Sequence, residues 1–371
     1  MHALIESMTT EARSVDVLLA AFSAQVDWCA KLQSPYMVAL LERSIAHLRA
    51  DAAAAASLAA ATEDPHAGLL PLRWAAAFHD LALQRREPWA SLVETAVRLG
   101  PAGAADFDAA IEALLLDERP HLASFLGSAP QTNEVQRSVA LLPGLLHIAN
   151  VTGLPLHLLE VGASAGLNLW CDRWFHDHDV WRWGDPASPL RLQAEWRGPV
   201  PPQGVTLSIA GRSGCDLAPV DIRQPTHRRR LAAYVWADQI DRLRRLHLAL
   251  EAAAQWQVAE GLIIEPAAAA AYAARELAQS REGRTTVIFH SIVWQYLRAE
   301  DQQRLREVIE VAGARATAAA PLAWLSLEHP AGAPTPELRC RIWPGGPTRL
   351  LARAHPHGNW VEWLAADAPR L

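Results

Sequence analysis

The stretch LHLLEVGASAGLNLWCDRW, residues 156–174, decides how this chain is read. A largely apolar run leads into Glu160, and five small residues follow Val161: Gly162, Ala163, Ser164, Ala165 and Gly166. The run is too uniformly apolar to leave one face in water, so it reads as a buried strand. Small residues let a backbone approach a ligand closely, and a helix starting just beyond them would offer free N–H groups.

Three readings of this turn stand side by side. The first rests on the spacing acid-x-Gly-x-x-x-Gly formed by Glu160, Gly162 and Gly166. It is that of the first S-adenosylmethionine motif, in which the acid ends the strand and the glycines admit the methionine and ribose parts. A dinucleotide turn needs Gly-x-Gly-x-x-Gly, whereas position 164 is Ser and position 167 is Leu, which disfavours NAD. The second reading is Gly-x-Ser-x-Gly, the nucleophile elbow of α/β-hydrolases, with Ser164 as nucleophile. Asp216 or Asp301 and then His329, His355 or His357 could complete its chain order. Such an elbow should follow several strands and an oxyanion loop, but only helical sequence precedes this one. The third reading is a purely structural tight turn.

Working outward, LIIE at Leu262, TTVIFH at Thr285 and PLAWLSLE at Pro321 are further candidate buried strands. Helices between them imply a parallel sheet. ELRCRIWPGGPTRLLARA then forms two strand-like runs around Pro344-Gly345-Gly346-Pro347, an antiparallel hairpin. A Pro- and Gly-rich insertion at about residues 176–225 holds one further strand, VTLSIA at Val205. Residues 1–150 are helical, with YMVALLERSIAHLRA from Tyr36 and PLRWAAAFHDLAL from Pro71 as clear examples. Breaks at Asp64-Pro65, Gly100-Pro101 and Glu118-Arg119-Pro120 divide this half into four or five helices. The last begins near Asn133, a good N-cap, and contains Pro143. The expected architecture is therefore α/β: an all-α domain over 1–150, then a mostly parallel Rossmann-like sheet over 151–371 with an antiparallel C-terminal hairpin.

Composition narrows the function classes. A net charge of -6 in 371 residues gives no electrostatic ground for nucleic acid binding. Arg228–Arg230 and Arg242–Arg245 read as solvated helix faces, and Asp238 and Arg242, four apart, as a helix pair. Lys31 is the only lysine, which excludes a Walker-type phosphate loop and a lysine Schiff base elsewhere. Cys29, Cys171, Cys215 and Cys340 stand too far apart for a CxxC site and read as reduced thiols. No run reaches the ~18 uninterrupted apolar residues of a membrane span, and the first residues lack the order of a signal peptide. A cytoplasmic protein with no membrane partner is expected. His355 and His357 have HxH spacing but no nearby third ligand, so no metal is expected. The fifteen tryptophans, several of them beside the insertion, read as packing residues.

TNEVQRS at 132–138, LLEVGASAGLNL at 158–169, WGDPASP at 183–189, GCDLAPVD at 214–221, YVWADQ at 234–239, FHSIVWQYL at 289–297 and HGNWVEWL at 357–364 together resemble an uncharacterised bacterial family, domain of unknown function 2332. The family is similar in turn to class I S-adenosylmethionine-dependent methyltransferases. That resemblance implies a cofactor set of Glu160, Gly162, Ala163, Ser164, Gly166 and Asn168. Asp216, or alternatively Glu265, would be the acid on the ribose or near the adenine. Residues after the fourth strand face the methyl group in such enzymes. This gives His290 as general base with Tyr296 beside it, and Ser291, Trp294 and Gln295 as substrate contacts. The Asn/Asp-Pro-Pro-Tyr pattern of amino-group methylases is absent there. Arg137 is the expected holder of a substrate or cofactor carboxylate. The implied activity is methyl transfer to a small molecule under a helical lid. The alternatives are cofactor binding without catalysis and the Ser164 hydrolase.

Overall fold

The computed structural model describes residues 2–62, 64–100 and 107–365, with side chains from residue 14 onward. Pro101 of the expected Gly100-Pro101 break lies outside the described residues. The chain forms two compact units interleaved in sequence: Met1–Thr132 with Pro225–Arg244, and Asn133–Gln224 with Arg245–Leu371.

The first unit is helical. Its described helices are α1 (His2–Lys31), α2 (Pro35–Ala50), α3 (Ala52–Ala59), α4 (Leu70–Leu83), α5 (Trp89–Leu99), α6 (Phe107–Leu116) and α7 (Arg119–Leu126). Residues 1–132 alone hold seven described helices where four or five were expected through residue 150: Pro35 and Pro88 mark two of the additional breaks, and at Asp51 a polar cap cuts the chain where no Gly or Pro marks it. Asp51 ends α2 and accepts the amides of Ala53 and Ala54, so the alanine run starts a helix of its own. The core joins Phe22, Tyr36, Trp74, Phe78 and Phe107, with Phe78 and Phe107 edge to face at 5.4 Å.

The later segment adds α9 (Pro225–Ala233) and YVWADQ to this unit. Asp238 does not pair with Arg242. It accepts the Ser34 hydroxyl at 2.8 Å and the Tyr36 amide at 3.1 Å at the start of α2, while Arg242 donates to Gln239. Long-range capping outcompetes the weak exposed i,i+4 pair.

The second unit is α/β. Its helices are α8 (Ser138–Thr152), the later part of α10 (Ile240–Glu260), α11 (Ala269–Glu276) and α12 (Ala299–Ala314). The strands are β1 (Leu156–Val161), β2 (Phe175–Asp177), β3 (Arg182–Trp183), β4 (Arg191–Leu192), β5 (Glu195–Arg197), β6 (Ile209–Asp216), β7 (Ile264–Pro266), β8 (Thr285–Ser291), β9 (Leu322–Glu328), β10 (Glu337–Trp343), β11 (Arg349–Ala354) and β12 (Trp360–Trp363). Nine of these make one sheet in the order β5-β12-β11-β10-β9-β8-β1-β6-β7, and β3-β2-β4 make a small second one within the insertion.

Strands β7, β6, β1, β8 and β9 are mutually parallel. The chain then turns back through antiparallel β10, β11 and β12, so the expected hairpin is the middle of a four-strand meander. The expected strand at Val205 starts four residues later, at Ile209. Every residue of β8 is buried, as a strand covered on both faces requires. On one face Leu159, Val161 and Ile288 meet Tyr272 of α11 and Leu305 and Ile309 of α12. On the other, α8 comes so close that a Cβ on Gly144 would stand 2.8 Å from Leu325. The tryptophans beside the insertion are structural: Trp170 and Trp174 are fully buried and pack on Trp256, at 5.5 and 4.9 Å.

Candidate functional site

In sequence order the parallel strands lie third, second, first, fourth, fifth across the sheet, so the direction of winding reverses between β1 and β8. Loops diverge at the carboxyl ends of two such strands and leave a crevice, the usual ligand position in open α/β sheets. Glu160 stands at this point on β1, level with Phe289 of β8.

Glu160 is 1% exposed, and its Oε2 has no hydrogen-bond partner among the described residues. Burial, and then the negative charge of Asp216, push its carboxyl well above the usual value of 4.5. A hydrogen bond from Asn168 and the positive charge of Arg137 oppose that rise. Asn168 is itself fixed by the Ser138 hydroxyl at 3.3 Å, so a chain of polar groups from the head of α8 ends on an unsatisfied carboxyl. A buried acid in that condition is a functional-site signal, because a purely structural role would leave it paired.

The glycine turn is tight and largely self-satisfied. Gly162, Ser164 and Gly166 all have positive φ, at 69°, 52° and 74°. A Cβ on Gly162 would meet the Val293 side chain at 2.4 Å, and one on Gly166 would meet Ile264 at 2.8 Å. Side chains of the protein therefore occupy the space the glycines leave. The amides are taken as well: Ser164 N donates to Asp216 Oδ2 and Leu167 N to Asn133 Oδ1, each at 2.9 Å. Asn133 thus closes this turn instead of starting α8, and the helix expected after the turn is a seven-residue 3-10 helix, Leu167–Arg173. Ala163 is buried between these partners. Ser164 Oγ is buried and has no hydrogen-bond partner among the described residues. No imidazole among the described residues bonds to it, as a nucleophile elbow requires.

At the end of β8 the pattern is again polar and buried. His290 is 2% exposed, and Trp324 Nε1 donates to its Nε2 at 3.0 Å. An indole N–H is only a donor, so the ring proton sits on Nδ1 and goes to Glu328 Oε1 at 2.6 Å. Both nitrogens are occupied, which leaves none to take a substrate proton. Glu328 also accepts the amide of Val293 at 3.0 Å. Between them Ile292 adopts φ 53°, a left-handed conformation unusual for a β-branched residue. Arg137 pins the other side, donating from Nη1 to the Ser291 carbonyl at 3.1 Å and from Nε to the Pro356 carbonyl at 3.2 Å.

The remaining expected residues separate. Asp216 ends β6, directly beside β1, and its carboxylate receives the amides of Ser164 and Ala218. The insertion lengthens the sequence distance from the glycine turn but leaves Asp216 on the neighbouring strand tip. Glu265 forms a bidentate pair with Arg275 at 2.7 and 2.6 Å at the surface. Tyr296 is 59% exposed and Gln295 is exposed, so neither joins the buried cluster. Trp294 stacks on His290 at 5.3 Å and carries the Arg306 guanidinium on its ring.

Three participants escaped the sequence reading: Gln136, Ser138 and Glu328. Gln136 Nε2 donates to the carbonyls of Gln193 and Gly358, at 2.6 and 3.3 Å, joining TNEVQRS to HGNW. Its Oε1 is buried and unpaired among the described residues. For Gln136 and Ser138 the available signal was the stretch 133–138, polar except for Val135, directly ahead of an apolar helix.

A family model described as an uncharacterized protein conserved in bacteria, DUF2332, matches residues 19–363. The chain belongs to this family. Neither a curated protein nor a solved structure matches it. Four motif stretches, TNEVQRS, LLEVGASAGLNL, GCDLAPVD and FHSIVWQYL, meet around Glu160, and HGNWVEWL is tied to the first of them through Gln136. Among the described residues there is no group of three or more metal-binding side chains, and no helix is long and apolar enough to cross a membrane.

Proposed function

We propose that the crevice between β1 and β8 binds S-adenosylmethionine and that the protein transfers its methyl group to a small molecule. The observation that carries the reading is Glu160, a buried and half-satisfied acid at the switch point of the sheet. The strand order supports it, because third-second-first-fourth-fifth is the winding of nucleotide-binding doubly wound sheets. Antiparallel strands beyond the fifth agree with a Rossmann-like methyltransferase sheet.

The test of fit is chemical. Glu160 Oε2 has no hydrogen-bond partner among the described residues and can meet a ligand hydroxyl, and Asp216 stands at the adjacent strand tip. The Gly162 and Gly166 positions support the reading less directly, since Val293 and Ile264 already meet them. When bound, the cofactor supplies a methyl group on a sulfonium that is already a good leaving group. The residues here would contribute binding, alignment and exclusion of water, which can lower a barrier substantially without acid-base chemistry. Arg137 holds the carbonyls that shape the crevice, and its positive charge limits the rise in the Glu160 pKa.

A second reading, cofactor binding without catalysis, draws on the occupied nitrogens of His290 and the exposure of Tyr296. Calorimetric titration with S-adenosylmethionine and S-adenosylhomocysteine tests what both share, and silence toward both ligands removes both. Incubation of the protein with methyl-labelled cofactor and a metabolite extract then separates them: label in a small molecule marks the enzyme, and none marks the binder.

A further inference from the structure

The turn Ser291-Ile292-Val293 has three features with a common explanation. Val293 fills the position above Gly162, with its two methyl carbons 2.4 and 2.8 Å from where a Cβ would stand. Ile292 holds a left-handed φ of 53° that its branched side chain disfavours. The strained residue is clamped on both flanks, by Arg137 on the Ser291 carbonyl and by Glu328 on the Val293 amide. Backbone strain that the surroundings over-determine is characteristic of switch regions.

We propose that this turn is a gate over the ligand seat at Glu160, with Val293 as the steric stop and Arg137 and Glu328 as the positioning residues that latch it. The inference rests on the reading that an adenosyl ligand sits beside Glu160. In the described form the gate is closed. Ligand entry moves Val293 off Gly162, lets Ile292 return to a relaxed φ and breaks the Glu328 bond to the Val293 amide. His290 remains held by Trp324, so the end of β8 stays in place while the turn moves. The strain at Ile292 offsets part of the cost of breaking the latch and keeps the two arrangements close in free energy.

Binding of S-adenosylhomocysteine to full-length wild type and to Val293→Ala tests the gate by calorimetry, with hydrogen exchange of the Val293 amide as a second readout. An open form populated at roughly a tenth or less weakens apparent affinity by about tenfold or more. Val293→Ala removes the stop, so its binding is expected to tighten by about tenfold. Val293→Ile, which enlarges it, should weaken binding. In wild type the ligand should speed exchange at the Val293 amide. Equal affinity in all three proteins, with unchanged exchange, overturns the gate and leaves the cofactor reading standing. Absence of binding in wild type and in a folded Val293→Ala protein overturns both.

Discussion

Glu160→Gln should make the protein more stable, and increasingly so as the pH rises. In the native chain the carboxyl is buried and its pKa is raised well above 4.5, first by burial and then by the Asp216 charge. Below about pH 4.5 the carboxyl is protonated in both folded and unfolded chains, and the stability linked to the native proton is fully present. Above that value the unfolded chain releases its proton first. The native state then holds more protons, and stability falls until the pH passes the native-state value. Each pH unit in that window costs about 1.4 kcal/mol. A glutamine avoids this cost and can still bond to Asn168. The variant should therefore match wild type near pH 4.5 and gain up to about 1.4 kcal/mol per pH unit above it. One kcal/mol corresponds to roughly 2–4 °C in Tm for a unit of this size. Thermal unfolding by circular dichroism at pH 5, 6, 7 and 8 reads the gap directly. A constant gap, or a variant less stable than wild type at pH 8, refutes the reasoning.

Gly162→Ala puts a Cβ 2.4 Å from Val293 on a backbone at φ 69°, so it should cost on the order of 1–3 kcal/mol, measured by chemical denaturation. Combining it with Val293→Ala should recover the part due to the clash. Asp238→Ala removes the acceptor for the Ser34 hydroxyl and the Tyr36 amide, and a loss of about 1–2 kcal/mol is expected in the same measurement. Ser164 has no imidazole partner, so a fluorophosphonate probe should leave the folded protein unlabelled, as read by intact mass.

The parallel core was legible in the sequence because buried strands advertise themselves. LHLLEV, TTVIFH and LAWLSLE each carry three or more large apolar residues with no glycine or arginine among them, and β1, β8 and β9 lie within a residue or two of them. The strand β6 was misplaced by four residues because its sequence, IAGRSGCD, is half polar and glycine-rich. The residues of α9 gave no sign that they belong with the first helical unit, since that rests on contacts far away in sequence: Ala233 and Tyr234 join its core and Arg229 reaches Asp80 at 2.9 Å. At the site, the strand-end acid Glu160 could be read from spacing alone. The role of Glu328 could not, because it depends on β9 lying beside β8, and neither could the occupation of both His290 nitrogens. Glycines that look like room for a ligand in one dimension turn out to face Val293 and Ile264.

The most direct trial of the central claim is a crystal structure grown with S-adenosylhomocysteine. The account predicts the ligand between the ends of β1 and β8, with a donor within hydrogen-bonding distance of Glu160 Oε2 and its ribose beside Asp216. A well-ordered ligand bound elsewhere, with Glu160 still buried and unmatched, would contradict it.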